Sequence, residues 1–248
     1  MQALRTPAAV LFDLDDTLFD HAHAARAALT RVHAMHDCFA SGPFDAFEEA
    51  HVRCLEALHQ RVLAGAMGID EARLRRFRQL FANAGVDASD DHVAYTASTY
   101  RAAYLEARRP IEGARDLLAA LKPRVRIGVV SNNILEEQRA KVRLCGFDPY
   151  IDALVVSEEA GFTKPDPRIF EVALGRLGCE ARDAVMIGDS WAADVEGARA
   201  AGVRAIWFNR TGRPVPDADG AGADVDVIDR LTPVDDVLRI LDPALRCA

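Results

Sequence analysis

Lysine is nearly absent from this sequence: Lys122, Lys141 and Lys164 are the only three among 30 basic residues, and arginine supplies the rest. Positive charge is short overall. With a net charge of −8, a basic face for nonspecific nucleic-acid binding is not expected. Cysteine is sparse as well. Cys38, Cys54, Cys145, Cys179 and Cys247 are scattered, odd in number and form no CxxC pair. That spacing argues against a disulfide framework or a structural zinc site and fits a reducing cytoplasm. No apolar run approaches the roughly 18 residues of a membrane span. Residues 1–7 lack the charged-then-apolar layout of a signal peptide. A cytoplasmic protein with neither a membrane nor a nucleic-acid polymer as partner is expected.

What is present is apolar and patterned. Half of the 248 residues are hydrophobic, enough for one large domain or two modest ones. Near the N-terminus, Val10-Leu11-Phe12 runs directly into Asp13-Leu14-Asp15-Asp16-Thr17. The apolar run reads as a buried parallel strand, being short, continuous and rich in branched and aromatic side chains. Carboxylates at the end of such a strand repel one another and are costly to desolvate unless paired or metal-bound. The cluster calls for a cation.

Beyond that strand the period turns helical. Residues 22–35, 44–63, 71–81 and 92–105 carry apolar positions three and four apart, with Ser41-Gly42-Pro43, Gly65, Gly68, Gly85 and Pro110 as breakers. Residues 20–108 therefore read as one helical insertion, with 1–19 and 109–248 forming the core. From Pro110 onward helices and strands alternate: helices over 112–121, 135–144, 167–177 and 194–201, strands over 125–130, 151–156, 184–187 and 203–208. This pattern predicts right-handed βαβ units around a parallel sheet. A Pro/Gly/Asp-rich loop over 211–223 precedes a weak strand near 225–228 and a last helix.

The chemically suggestive residues follow the strands. Asp13 and Asp15 come after the first, Ser131-Asn132-Asn133 after the second, Lys164 in the loop beyond the third, and Asp189 after the fourth, with Asp194 five residues later. Strand C-termini of a parallel sheet share one edge, so these loops are expected to converge on one crevice. Four carboxylates then face a single lysine. An all-oxygen set of this kind suits a hard cation such as Mg²⁺. A carboxylate beside such a cation can act as a nucleophile towards an anion shielded by the metal and the lysine. Ser131 can donate to phosphate oxygens, and the backbone amides around Asn132 can form an anion nest.

The set Asp13-x-Asp15-x-Thr17, Ser131, Lys164-Pro165 and Gly188-Asp189-x-x-x-x-Asp194 resembles the haloacid dehalogenase-like hydrolases, in order and spacing, over essentially the whole chain. The resemblance implies a Rossmann-like parallel core of order 3-2-1-4-5 with an inserted α-helical cap. It implies that Asp13 is the nucleophile and a Mg²⁺ ligand. Asp15 is implied as the general acid and then base, its backbone carbonyl also a ligand. Thr17 would support the loop and the acid/base group beside the phosphate, while Ser131, Asn132 and Lys164 hold the phosphoryl group. Asp189 and Asp194 complete the metal site. Asp16, where the family commonly has a small residue, is assigned no chemistry.

The same resemblance separates the activities. Dehalogenases of the family lack the second aspartate, because a halide leaves without a proton, so Asp15 points to phosphoryl chemistry. Phosphonate hydrolases need a cap lysine, and residues 20–108 contain none. A phosphomutase would keep the whole set, and a catalytically silent binding module could retain the fold. The expectation is a phosphatase for a small phosphorylated metabolite: a nucleoside monophosphate, with phosphoglycolate or a sugar phosphate close behind. All seven histidines fall in the insertion; His21 and His23 stand where it leaves the first motif and are candidates for a substrate contact. His33 and His36, three apart, could bind metal but read more simply as packed or exposed side chains. Arg73, Arg75, Arg76 and Arg78 read as a solvated helix face.

Overall fold

The computed structural model describes residues 6–216 and 224–242. Cys247 and the stretch 217–223 of the Pro/Gly/Asp-rich loop lie outside them. The chain divides into two compact units, Met1–Asp20 with Arg109–Ala248, and His21–Arg108.

The first unit is built on six parallel strands: β1 (Ala9–Phe12), β2 (Arg126–Ser131), β3 (Ala153–Val156), β4 (Ala184–Gly188), β5 (Arg204–Phe208) and β6 (Asp226–Ile228). Their order is β3-β2-β1-β4-β5-β6, the expected 3-2-1-4-5 arrangement with the weak last strand added at one edge. Strands buried on both faces need apolar side chains at every position. The central strand, β1, is accordingly buried at all four residues. Helices α6 (Ala114–Leu121), α7 (Leu135–Leu144) and α9 (Pro167–Leu177) lie in the crossovers, and the single turn α8 (Ser157–Ala160) follows β3. The start of α9 is legible in its chemistry: Asp166 caps the backbone N–H of Arg168 at 3.0 Å, and Pro167 follows at the first helical position. Phe12, Phe19, Phe147, Phe170 and Trp207 are fully buried, each contributing about 1.5–3 kcal/mol through lost apolar exposure.

The second unit contains no strand among its described residues. It comprises α1 (His21–Met35), the short α2 (Asp37–Ala40), α3 (Phe44–Leu63), α4 (Ile69–Asn83) and α5 (Asp90–Glu106). Helix α1 buries Ala24, Ala28, Leu29 and Val32 along one stripe, and α5 buries Val93, Thr96, Tyr100, Ala103 and Tyr104. These are the spacings of a helix with one apolar face. Ser89 caps α5, accepting from His92 N–H at 3.3 Å.

Candidate active site

Strand register brings the site together. Phe12 pairs with Val129 of β2 and with Ile187 of β4, so the next residue, Asp13, emerges level with Val130 and Gly188. Its backbone N–H donates to Ile187 O at 2.9 Å. Asp13, Ser131 and Asp189 thus leave three adjacent strands at one edge, where open α/β sheets place their ligands.

Lys164 is the electrostatic centre of this edge. Its Nζ donates to Asp13 Oδ1 at 2.6 Å, Asp194 Oδ1 at 2.7 Å and Val130 O at 2.8 Å. The side chain is held by its own backbone, because Lys164 N–H donates to Asn132 Oδ1 at 2.7 Å and Asn132 Nδ2 donates back to Lys164 O at 2.8 Å. Burial disfavours the ammonium, but Asp13 and Asp194 outweigh burial and raise its pKa. The two carboxylates thus favour the ammonium form of Lys164.

One lysine does not balance the acids. One oxygen each from Asp13, Asp189 and Asp194 lie within 4.8 Å of one another. Burial raises Asp13 well above the ordinary carboxylate value, aided by Asp194 and Asp189 and opposed by Lys164. Burial likewise pushes Asp189 up to about 7, with Asp194 and Asp16 adding to the rise. The cluster has more acidic groups than its one lysine can keep ionised. An oxygen-only donor set in that condition fits a hard divalent cation.

Asp194 is placed differently from a helix continuing in register. Helix is predicted from residue 194, yet the turn begins at Trp191 as a π-helical segment, Trp191–Glu196, capped by Ser190. Local π turns are often found at functional sites. Here the Asp194 carboxylate folds back, with Oδ2 accepting Ser190 N–H at 2.9 Å and Oδ1 meeting Lys164. The Asp189 carbonyl accepts from Trp207 Nε1 at 2.9 Å and from Arg213 at 2.7 Å. Trp191 packs edge-on against Trp207, a packing role.

Around Asp15 the structure departs from expectation. The Thr17 hydroxyl is fully buried and makes no hydrogen bond, so Thr17 does not hold the second carboxylate. Asp15 is gripped instead by Lys141, whose Nζ lies 2.6 and 2.7 Å from its two oxygens. Gln138 Nε2 reaches Asp15 Oδ2 at 2.9 Å and Ser131 Oγ at 2.5 Å, and Asn133 Nδ2 adds a bond to Asp15 Oδ2 at 3.3 Å. Neither Gln138 nor Lys141 stands out in the sequence, although a scarcity of lysine could have directed attention to Lys141. Asn132, expected at the phosphate through the backbone amides around it, has its side chain bonded to the Lys164 backbone. Asp16 adopts a positive φ of 63°, a conformation aspartate tolerates better than most residues.

His21 and His23 lie in the first turn of α1, in the helical unit, where His21 Nδ1 and Tyr104 OH are 2.9 Å apart. His33 contacts Gly42 O, while His36 bonds His92 and Thr96. Among the described residues, the aspartate triad is the one grouping with metal-ligand geometry. Three of the four clustered arginines are surface ion pairs: Arg73–Asp70, Arg75–Glu71 and Arg78–Asp90. Arg76 is the exception to the solvated face. It is buried, with its guanidinium 4.9 Å from the Tyr100 ring centre and 5.3 Å from that of Phe77, where a cation is attracted by the ring faces.

The family profile of the haloacid dehalogenase-like hydrolases matches residues 7–202. The glyceraldehyde 3-phosphate phosphatase of Methanothermobacter thermautotrophicus is 32% identical over 233 residues, 93% of this chain and 99% of that protein. The ribulose-1,5-bisphosphate 5-phosphatase of Halopiger xanaduensis is 32% identical over 206 residues, 81% of this chain and 84% of that protein. Among solved structures, the HAD-hydrolase YfnB of Bacillus subtilis bound to magnesium is similar at 26% identity with a TM-score of 0.74. That match covers 95% of this chain and 100% of the other.

Proposed function

The chain belongs to the haloacid dehalogenase-like hydrolases, and we propose that it is a Mg²⁺-dependent phosphomonoester hydrolase acting through an aspartyl-phosphate on Asp13. The observation that carries this reading is Asp13 itself, a buried carboxylate 2.6 Å from Lys164 and grouped with Asp189 and Asp194. Asp13 and Asp189 would hold Mg²⁺, with Asp194 behind them. Bound there, the ion would supply neutralisation of the phosphoryl oxygens and of the acidic cluster.

The chain's own residues divide the rest. Asp13 forms the bond to phosphorus as the ester P–O bond breaks. Lys164 offsets charge on the transferring phosphoryl group, and Ser131 donates to it. Asp15 gives its proton to the leaving alkoxide, then takes one from the water that displaces Asp13. An alcohol and inorganic phosphate leave, and both aspartates return to their starting state. Halide displacement needs no such proton, so Asp15 supports phosphoryl transfer over dehalogenation.

A small phosphorylated metabolite is the proposed substrate. The two relatives above act on a phosphorylated triose and a phosphorylated pentose, which favours a sugar phosphate over a nucleoside monophosphate. Phosphate release with Mg²⁺ against trioses, pentoses, phosphoglycolate and nucleotides tests the reading. Release from at least one of them is expected. An isomerised product without free phosphate would indicate a mutase, and chloride release from a 2-haloacid without phosphatase activity would reverse the assignment.

A further inference from the structure

We propose that Lys141 and Gln138, one turn apart on α7, are positioning residues that fix the Asp15 carboxylate and set the donor direction of Ser131. The inference rests on reading Asp15 as the proton carrier. Lys141 is 4% exposed, and both contacts of its ammonium with a carboxylate are to Asp15. Its Nζ also stands 5.2 Å from the Phe19 ring centre. A buried ammonium is costly unless paired and hydrogen-bonded, so the pair holds Asp15 and the inner face of α7 in one arrangement. The two oxygens of Asp15 receive Lys141 together, which fixes the plane of the carboxylate as well as its place.

Gln138 extends this control to the phosphate side. Its amide NH₂ carries two hydrogens. One is directed to Asp15 Oδ2 and the other to Ser131 Oγ. In its anionic form, the base of the second half-reaction, Asp15 can only accept, so the amide cannot be reversed without losing that bond. Ser131 is then an acceptor towards Gln138, and its own hydroxyl hydrogen is left to donate elsewhere, as a phosphoryl oxygen requires. Two functions proposed for different motifs, leaving-group protonation and phosphoryl binding, are thereby oriented from one helix face. Two of the chain's three lysines each hold one aspartate of the Asp13–Asp15 pair.

The test compares wild type with K141M, K141R and Q138L on p-nitrophenyl phosphate and glycerol 3-phosphate, with Mg²⁺. A nitrophenolate departs without proton donation; a glycerol alkoxide does not. Misplacing Asp15 is therefore expected to lower kcat/KM for glycerol 3-phosphate about 10²-fold and that for p-nitrophenyl phosphate far less. The second half-reaction still needs Asp15, so K141M should also show a burst of nitrophenol before a slow steady state. K141R should recover part of both losses. Q138L should raise KM for both esters through Ser131. Equal losses of kcat/KM on the two esters without a burst would overturn the proposal, as would unchanged kinetics. If K141M melts cold, K141R carries the same leaving-group comparison. A wild type that hydrolyses neither ester nor any of the phosphate panel would instead defeat the phosphatase reading itself.

Discussion

A Cβ at Gly188 would lie 2.3 Å from the carboxyl carbon of Asp194 and 2.5 Å from its Cβ. The last residue of β4 is glycine because the carboxylate from the following turn rests on it. The clash involves the root of the Asp194 side chain, which rotation of its tip does not relieve. Gly188→Ala is expected to displace Asp194 from Lys164, destabilise the protein by about 1–3 kcal/mol and lower turnover at least tenfold. Urea unfolding and steady-state kinetics check this; wild-type kinetics in the variant would show that Asp194 moves freely.

Removing the central cation should be worse than removing one of its partners. Lys164→Met leaves Asp13 and Asp194 buried without the ammonium they share. Breaking a buried ion pair on one side costs about 3–5 kcal/mol, so a large fall in melting temperature should accompany loss of activity. Thermal unfolding in the presence of a chelator reads the effect. A variant as stable as wild type would mean that the carboxylates are neutral in the folded protein.

Mg²⁺ should stabilise the folded chain. A ligand bound only by the native state at 100 times its dissociation constant contributes about 2.7 kcal/mol. The melting temperature should rise with added Mg²⁺ and fall with EDTA, and Asp189→Asn should remove most of the response. A melting curve indifferent to both reagents would place the ion elsewhere or nowhere.

The helical unit has its own pH dependence. His51 is 1% exposed, and burial, with help from Arg76 and His21, lowers its pKa from 6.5 to about 2. The folded state keeps this ring neutral while the unfolded chain takes a proton below about pH 6.5. His51 therefore contributes stability that is complete above pH 6.5 and falls as pH drops towards 2, by about 1.4 kcal/mol per pH unit. Urea unfolding of wild type and His51→Phe between pH 7 and 4 should give profiles whose difference changes by roughly that slope. Parallel profiles would show that His51 is protonated in the folded state.

The strand-end residues were legible because their context was unambiguous. Asp13 follows a short apolar run that reads as a buried strand, and Asp189 follows another, so parallel topology brings both to one edge. The helices of the insertion were legible for the same reason, their apolar stripes recurring three and four apart. Lys141 and Gln138 were not legible. Polar residues three apart on a helix look like a solvated face, and only packing reveals that this face meets Asp15. Arg76 is hidden among three arginines that do pair at the surface. The π turn at Trp191 shifts the helix start without any change in composition. Thr17 carried an expectation that the geometry gives to α7.

The nucleophile can be tested without knowing the natural substrate. Wild type and Asp13→Asn are mixed with Mg²⁺ and p-nitrophenyl phosphate, quenched in acid during turnover, and digested for mass spectrometry. A phosphoryl adduct on the wild-type peptide at Asp13, with neither adduct nor turnover in Asp13→Asn, is the expected result. Turnover that persists in Asp13→Asn, or an adduct on another side chain, would contradict the assignment of Asp13 as the group that takes the phosphoryl.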